Sequence, residues 1–267
     1  MKSFACLLVV IAATFAPAPA RAWGCRGHQI VALIAWRHLT PSAARQVDRI
    51  LASGSFAAIR GCPKDGLPLI AAVASWPDGQ RQNSHEHYIN IPPVAKRTTD
   101  YCHGDCVTDA IAKYTRELRN REDAAVALAY IIHLVGDVHQ PLHAFDDNDR
   151  GANCVETRLP HSRRRISLHA DWDTALVPSG NTPALARSLD RTYGRHLALG
   201  SPSPDDWAWE SHILAEQYAY GPLHLSSGCD PAPVELSPAY VDASRPVIDR
   251  QLVLAGQRLA RLINQIL

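Results

Sequence analysis

The sequence predicts an all-α protein, a single-domain helical bundle with a small hairpin or loop insertion. Apolar residues recur at helical spacing in segment after segment along the 267-residue chain. One segment, Asp123 to His139, is apolar nearly all round, which marks a helix buried inside a bundle. Thr40-Pro41 and Ser237-Pro238 have the cap-plus-proline form of helix starts.

Taken in order, the helical patterns run from Gln29 to Trp36, Ala43 to Leu51, Leu67 to Trp76 and Val107 to Leu118. The buried segment follows, and Pro141 ends it just beyond His139. Further patterns cover Pro183 to His196, Asp205 to Tyr220 and Pro238 to Ile266. Between Gly151 and Ser167, turn formers and arginines replace the helical period, so a loop or small hairpin is expected there. A second irregular stretch, Ser84 to Asp105, carries Pro92, Pro93 and two cysteines. No repeat, linker or low-complexity tract divides the chain.

The first 22 residues read as a signal peptide: Lys2, a short apolar run from Leu7 to Phe15, then Ala20-Arg21-Ala22 as a cleavage site before Trp23. Residues 23–267 are then the mature domain, expected to be soluble, monomeric, and secreted or periplasmic. Without Cys6 an even set remains, Cys25, Cys62, Cys102, Cys106, Cys154 and Cys229, for which three disulfides are expected. Cys102 and Cys106 are close enough to close a small loop, while spacing leaves the other pairings open. The absence of CxxCH and of paired CxxC argues against c-type haem and a cysteine zinc site. A formal net charge of +1 means that a polyanion must be recognised locally. Arg163-Arg164-Arg165, the one basic run, is either a solvated hairpin face or a phosphate guide.

The chemistry centres on the buried helix, where His133 and Asp137 lie four residues apart on one face. Burying that pair without partners is costly. His143 follows where the chain leaves the helix, and His169 with Asp173 repeats the spacing. Imidazole and carboxylate together suit zinc. Asp78 and either His85 or His87 offer more donors. Cleavage before Trp23 would create a free amine which, with the Trp23 carbonyl, closes a five-membered chelate that His28 completes.

These residues resemble the fungal and plant single-strand-specific zinc nucleases and 3′-nucleotidases, of which mung bean nuclease is one; zinc phospholipases C are distant relatives. The similarity runs in order through Trp23-Gly24 with Gly27-His28, Ser75-Trp76 with Asp78, and His87. It continues in His133-Leu134-Val135-Gly136-Asp137, Gln140-Pro141-Leu142-His143 and Leu168-His169-Ala170-Asp171-Trp172-Asp173. Beyond Asp173 it is carried mainly by helical layout.

The resemblance implies a phospholipase C/nuclease-like fold and three zinc ions. Asp78, His87, His133 and Asp137 would hold one, with Asp137 shared with a second that Trp23 and His28 complete; His143, His169 and Asp173 would hold the third. His87 is preferred to His85 because His87-Tyr88-Ile89-Asn90 matches the family segment in which an aromatic follows the ligand. A zinc-bridging hydroxide would attack phosphorus in single-stranded DNA, RNA or a 3′-nucleotide, leaving 5′-phosphorylated products from a strand. Arg81 would stabilise phosphoryl charge, Tyr88 would stack a base, and Asn90 and Asn153 would contact substrate. Asn90 stands where the family commonly has an aspartate, and Ala152 replaces the second glycine of a Gly-Gly-Asn segment. The competing readings are a zinc-dependent phospholipase C and a noncatalytic helical zinc-binding protein with closed metal sites.

Overall fold

The structure is a computed structural model that describes residues 23–229 and 232–267. The signal-peptide segment 1–22 lies outside the described residues. Helices α1 (Gly24–His38), α2 (Pro41–Ala52) and α3 (Leu69–Ala72) come first. Short 3-10 turns Trp76–Gly79, Arg81–His87 and Thr98–Asp100 lead to α4 (Val107–Asn120) and α5 (Ala124–Asp137). A 3-10 turn Pro141–Ala144 precedes strands β1 (Glu156–Arg158) and β2 (Arg165–Ser167). Helix α6 (Leu168–Ala170) runs into a π-turn Asp171–Ala175, followed by α7 (Thr182–Tyr193) and α8 (Pro204–Leu214). A π-turn Ala215–Tyr220, strand β3 (Val234–Glu235) and the long α9 (Pro238–Ile266) complete the order.

The all-α expectation holds, and α5 is the central helix: every residue from Ala127 to Asp137 is buried. Helix α1 is buried continuously from Gly27 to Ala35 and packs on α5 and α9. Its approach to α9 depends on Gly256, where an added Cβ would lie 2.6 Å from the Ile34 side chain. The expected caps form, Thr40 accepting from the Ala43 N–H and Ser237 from the Tyr240 N–H, both at 3.1 Å.

Two elements depart from expectation. The helix expected from Leu67 to Trp76 is only Leu69–Ala72, because the chain turns after it and presents the Ala74 carbonyl to His133. The expected hairpin forms, with Thr157 opposite Ile166, but β3 joins it in parallel through Thr157 and Val234. The Cys154–Cys229 disulfide lies just before both partners of that pairing. The other disulfides are Cys25–Cys62, near the start of α1, and Cys102–Cys106, closing the short loop before α4.

Candidate metal centre

Helices α1 and α5 and the irregular segments around them deliver eight histidine and aspartate side chains to one region. His28 comes from the buried face of α1, and His133 and Asp137 come from successive turns of α5. Asp78 and His87 arrive on the two 3-10 turns after α3. Donor atoms of Asp78, His87 and His133 lie within 4.8 Å of one another, as do those of His28, His133 and Asp137. His143, His169 and Asp173 form another such group.

The Asp137 carboxylate is the common point of the first two groups. Its Oδ2 lies 2.9 Å from His87 Nδ1 and 3.2 Å from His133 Nε2, and its Oδ1 is 3.3 Å from His28 Nε2. Oδ1 is fully buried and makes no hydrogen bond among the described residues. His133 Nε2 also faces Asp78 Oδ1 at 3.5 Å. The His28 ring stacks on His133 with centroids 3.9 Å apart. Gly136 permits this, since a Cβ there would come within 2.9 Å of His28 Nδ1.

Proton positions follow from the hydrogen bonds of the rings. His133 Nδ1–H donates to Ala74 O (2.8 Å), His143 Nδ1–H to His87 O (2.7 Å) and His169 Nδ1–H to Gly151 O (2.6 Å). A carbonyl only accepts, so each Nδ1 carries the hydrogen, and in a neutral ring Nε2 carries a lone pair. Burial lowers the pKa of His143, and burial together with the neighbouring His143 pushes His169 down to about 3. Both rings are therefore neutral near pH 7, yet their Nε2 atoms face each other at 3.0 Å. Two lone pairs at that distance repel, and a shared cation converts the repulsion into ligation.

The α5 side of the centre has a different charge balance. Burial lowers the pKa of His133, but the Asp137 and Asp78 carboxylates and its hydrogen bonds outweigh this and raise it to about 9. Burial acts upward on Asp137, yet His133 and His87 hold it well below the ordinary carboxylate range. His28 is lowered by burial and by His133, and Asp173 is raised well above its usual value by burial. Without a cation, a proton on His133 balances the Asp137 charge. A metal ion in this donor set would replace that proton.

Trp23 is fully buried beside these groups. Its indole N–H donates to Gly136 O at 2.8 Å, its carbonyl accepts from the Gly27 N–H at 3.0 Å, and its backbone N–H is hydrogen-bonded to the Asp173 carboxylate. His87 is buried in the centre and His85 is exposed. Tyr88 follows His87 with 39% of its surface exposed, and Asn90 is exposed. The Asn153 amide donates to Arg150 O at 2.8 Å in the loop whose Gly151 carbonyl holds His169. Ala152 adopts φ 63°, keeping a left-handed conformation natural to glycine at a cost of about 1–2 kcal/mol. Arg81 starts the turn that ends at His87, and its side chain lies outside the described residues. Cys102, Cys106 and Asp109 also cluster, but the two sulfurs are bonded to each other.

Several supporting contacts were not read from the sequence, although Gln140 stands in one of the quoted segments. Gln140 donates to Asp173 Oδ1 at 2.6 Å while its own oxygen accepts from the Leu142 N–H, which orients Asp173 Oδ2 toward His169. Glu86, next to His87, accepts from Lys113 (2.9 Å) and the Tyr114 hydroxyl (2.7 Å) on α4. Tyr114 stacks on Tyr130 of α5, and the Asn83 amide donates to both hydroxyl groups. This network pins the turn carrying His87 and Tyr88 to the bundle.

The chain is similar to Endonuclease 4 of Arabidopsis thaliana, at 28% identity over 91% of this chain and 89% of that protein. It is 27% identical to Nuclease P1 of Penicillium citrinum over 91% of this chain and 97% of that protein. With Nuclease S1 of Aspergillus oryzae it shares 27% identity over 97% of both chains. The S1/P1 nuclease family model matches residues 23–267, and the chain belongs to the S1/P1 nuclease family.

Proposed function

We propose that this nuclease hydrolyses single-stranded DNA and RNA to 5′-phosphorylated products and removes the phosphate of 3′-nucleotides, with three zinc ions as cofactor. The observation that carries the reading is the pair of neutral imidazoles, His143 and His169, whose Nε2 lone pairs face each other at 3.0 Å. Trp23, His28 and Asp137 would hold one ion. Asp78, His87, His133 and Asp137 would hold a second, and His143, His169 and Asp173 the third. When bound, zinc supplies Lewis-acid charge for the phosphoryl group and acidifies water toward neutral pH.

The chain's own residues then orient the substrate. The exposed ring of Tyr88, one residue past His87, offers a face on which an unstacked base lies, which favours single strands over duplex. Arg81 is assigned to the phosphoryl group, and Asn90 and Asn153 to substrate contacts. Residues 23–267 constitute the domain, released from a signal peptide at 1–22 and acting as a secreted or periplasmic monomer. Among the described residues no helix is long and apolar enough to cross a membrane.

The test compares release of products from denatured DNA, from RNA and from a choline phospholipid by the mature protein. Hydrolysis of the nucleic acids with the phospholipid untouched is expected. Preferential phospholipid cleavage would overturn the substrate assignment, and no turnover by zinc-loaded protein would favour a noncatalytic metal protein.

A further inference from the structure

The hairpin of β1 and β2 is strongly basic and mechanically joined to the metal-bearing segment. From Glu156 to Ser167 it carries four arginines against one acidic residue, in a chain whose formal net charge is only +1. Two of these arginines are engaged at its base: Arg158 with Glu235 at 2.6 Å and Arg165 with Glu156 at 3.3 Å. Arg163 and Arg164 are exposed at the turn and have no side-chain partner among the described residues. Strand β2 runs directly into α6, so Arg164 precedes His169 by five residues, roughly 16 Å of extended chain at most.

The base of the hairpin is fixed against the centre. Thr157 Oγ1 is hydrogen-bonded to the Asp171 carboxylate, Leu168 N–H donates to Val155 O (2.8 Å), and Ser167 caps α6 through the Ala170 N–H (3.1 Å). A cationic turn is thus held at a set distance from His169, with its guanidinium groups uncommitted.

On the reading that single strands are cut at this centre, we propose that Arg163 and Arg164 form a remote phosphate-binding subsite for polymeric strands. A 3′-nucleotide or a dinucleotide carries a single phosphate that the centre itself engages, so neither has a further backbone phosphate to offer the turn. A longer strand passing over the hairpin places backbone phosphates beside it. Selectivity for polymer over mononucleotide then resides partly in this hairpin, outside the metal ligands.

The test measures kcat/KM on a dinucleotide and on a long single-stranded oligonucleotide, as a function of salt, for the mature wild-type protein and R163A/R164A. The double variant is expected to lose roughly 2- to 30-fold on the oligonucleotide at low salt, the equivalent of two exposed ion pairs. Its log–log salt slope should be shallower by roughly 1.4, since each single-strand phosphate contact contributes about 0.7. R163K/R164K should restore most of the loss, and R187A/R191A, removing two exposed charges from α7, should not reproduce it. An unchanged salt slope and length preference, or an equal loss on both substrates, overturns the subsite. A wild-type protein that cleaves neither substrate refutes the nuclease reading itself, a distinct outcome.

Discussion

A neutral imidazole that donates Nδ1–H to a carbonyl has only its Nε2 lone pair left, and His143 and His169 share that arrangement, while His133 makes the same Nδ1 contact but is held protonated beside Asp137. Asp137 differs in presenting both carboxylate oxygens to imidazoles from different elements. Asp137→Asn is therefore expected to reduce single-turnover hydrolysis far more than Asn153→Ala, because the amide cannot supply the second anionic oxygen, whereas the role proposed for Asn153 is only to position substrate. Near-normal turnover of Asp137→Asn with full zinc content would remove its bridging role. Tyr88 is separable from the metals because its ring is exposed while His87 is buried. Tyr88→Ala should weaken use of single strands and nucleotides by roughly 1–3 kcal/mol while affecting small aryl phosphodiesters less. Equal losses on both would show that Tyr88 supports the metal site instead of a base.

At the scale of elements, the i, i+4 pairs were legible because helix geometry is local: it puts His133 above Asp137 whatever else the fold does. The long-range contacts that orient them were not legible. Ala74 meets His133 across 59 residues, and Gln140 meets Asp173 across 33. Strand β3 has only two residues, and its pairing depends on a contact made elsewhere in the chain, so no local period announced it. The long helix α9 was legible in outline and contains a group whose burden only the fold reveals. Burial raises Asp249 to about 6 against the opposing pull of Arg245, and its Oδ1 makes no hydrogen bond among the described residues. A carboxyl group whose folded pKa lies above its unfolded value binds protons more tightly when folded, so stability falls as pH rises from about 4 through 6. Asp249→Asn should accordingly raise the melting temperature at pH 8 relative to wild type and show a smaller gain at pH 4. A gain independent of pH would assign the effect to packing.

For the whole molecule, the proposed metal sites join the start of residues 23–267 to the middle of the bundle. Trp23 is buried against Gly136, and its backbone nitrogen stands beside Asp173. If the amine created by signal cleavage is a ligand, one additional residue before Trp23 changes a basic lone pair into an amide. Mature protein that retains Ala22 should bind less zinc and turn over single-stranded DNA far more slowly, with the bundle still folded by circular dichroism. Equal zinc and equal turnover would leave His28 a structural histidine.

The proposed function stands on the facing donor groups being zinc sites at which the hydrolysis takes place. The most direct measurement is metal content of the mature protein, taken with its activity on single-stranded and duplex DNA of the same sequence, before and after chelation. Three zinc ions per chain, preference for the single strand, loss of hydrolysis with chelator and its return with added zinc are expected. Full hydrolysis by metal-free protein would rule out metal-dependent cleavage at these groups.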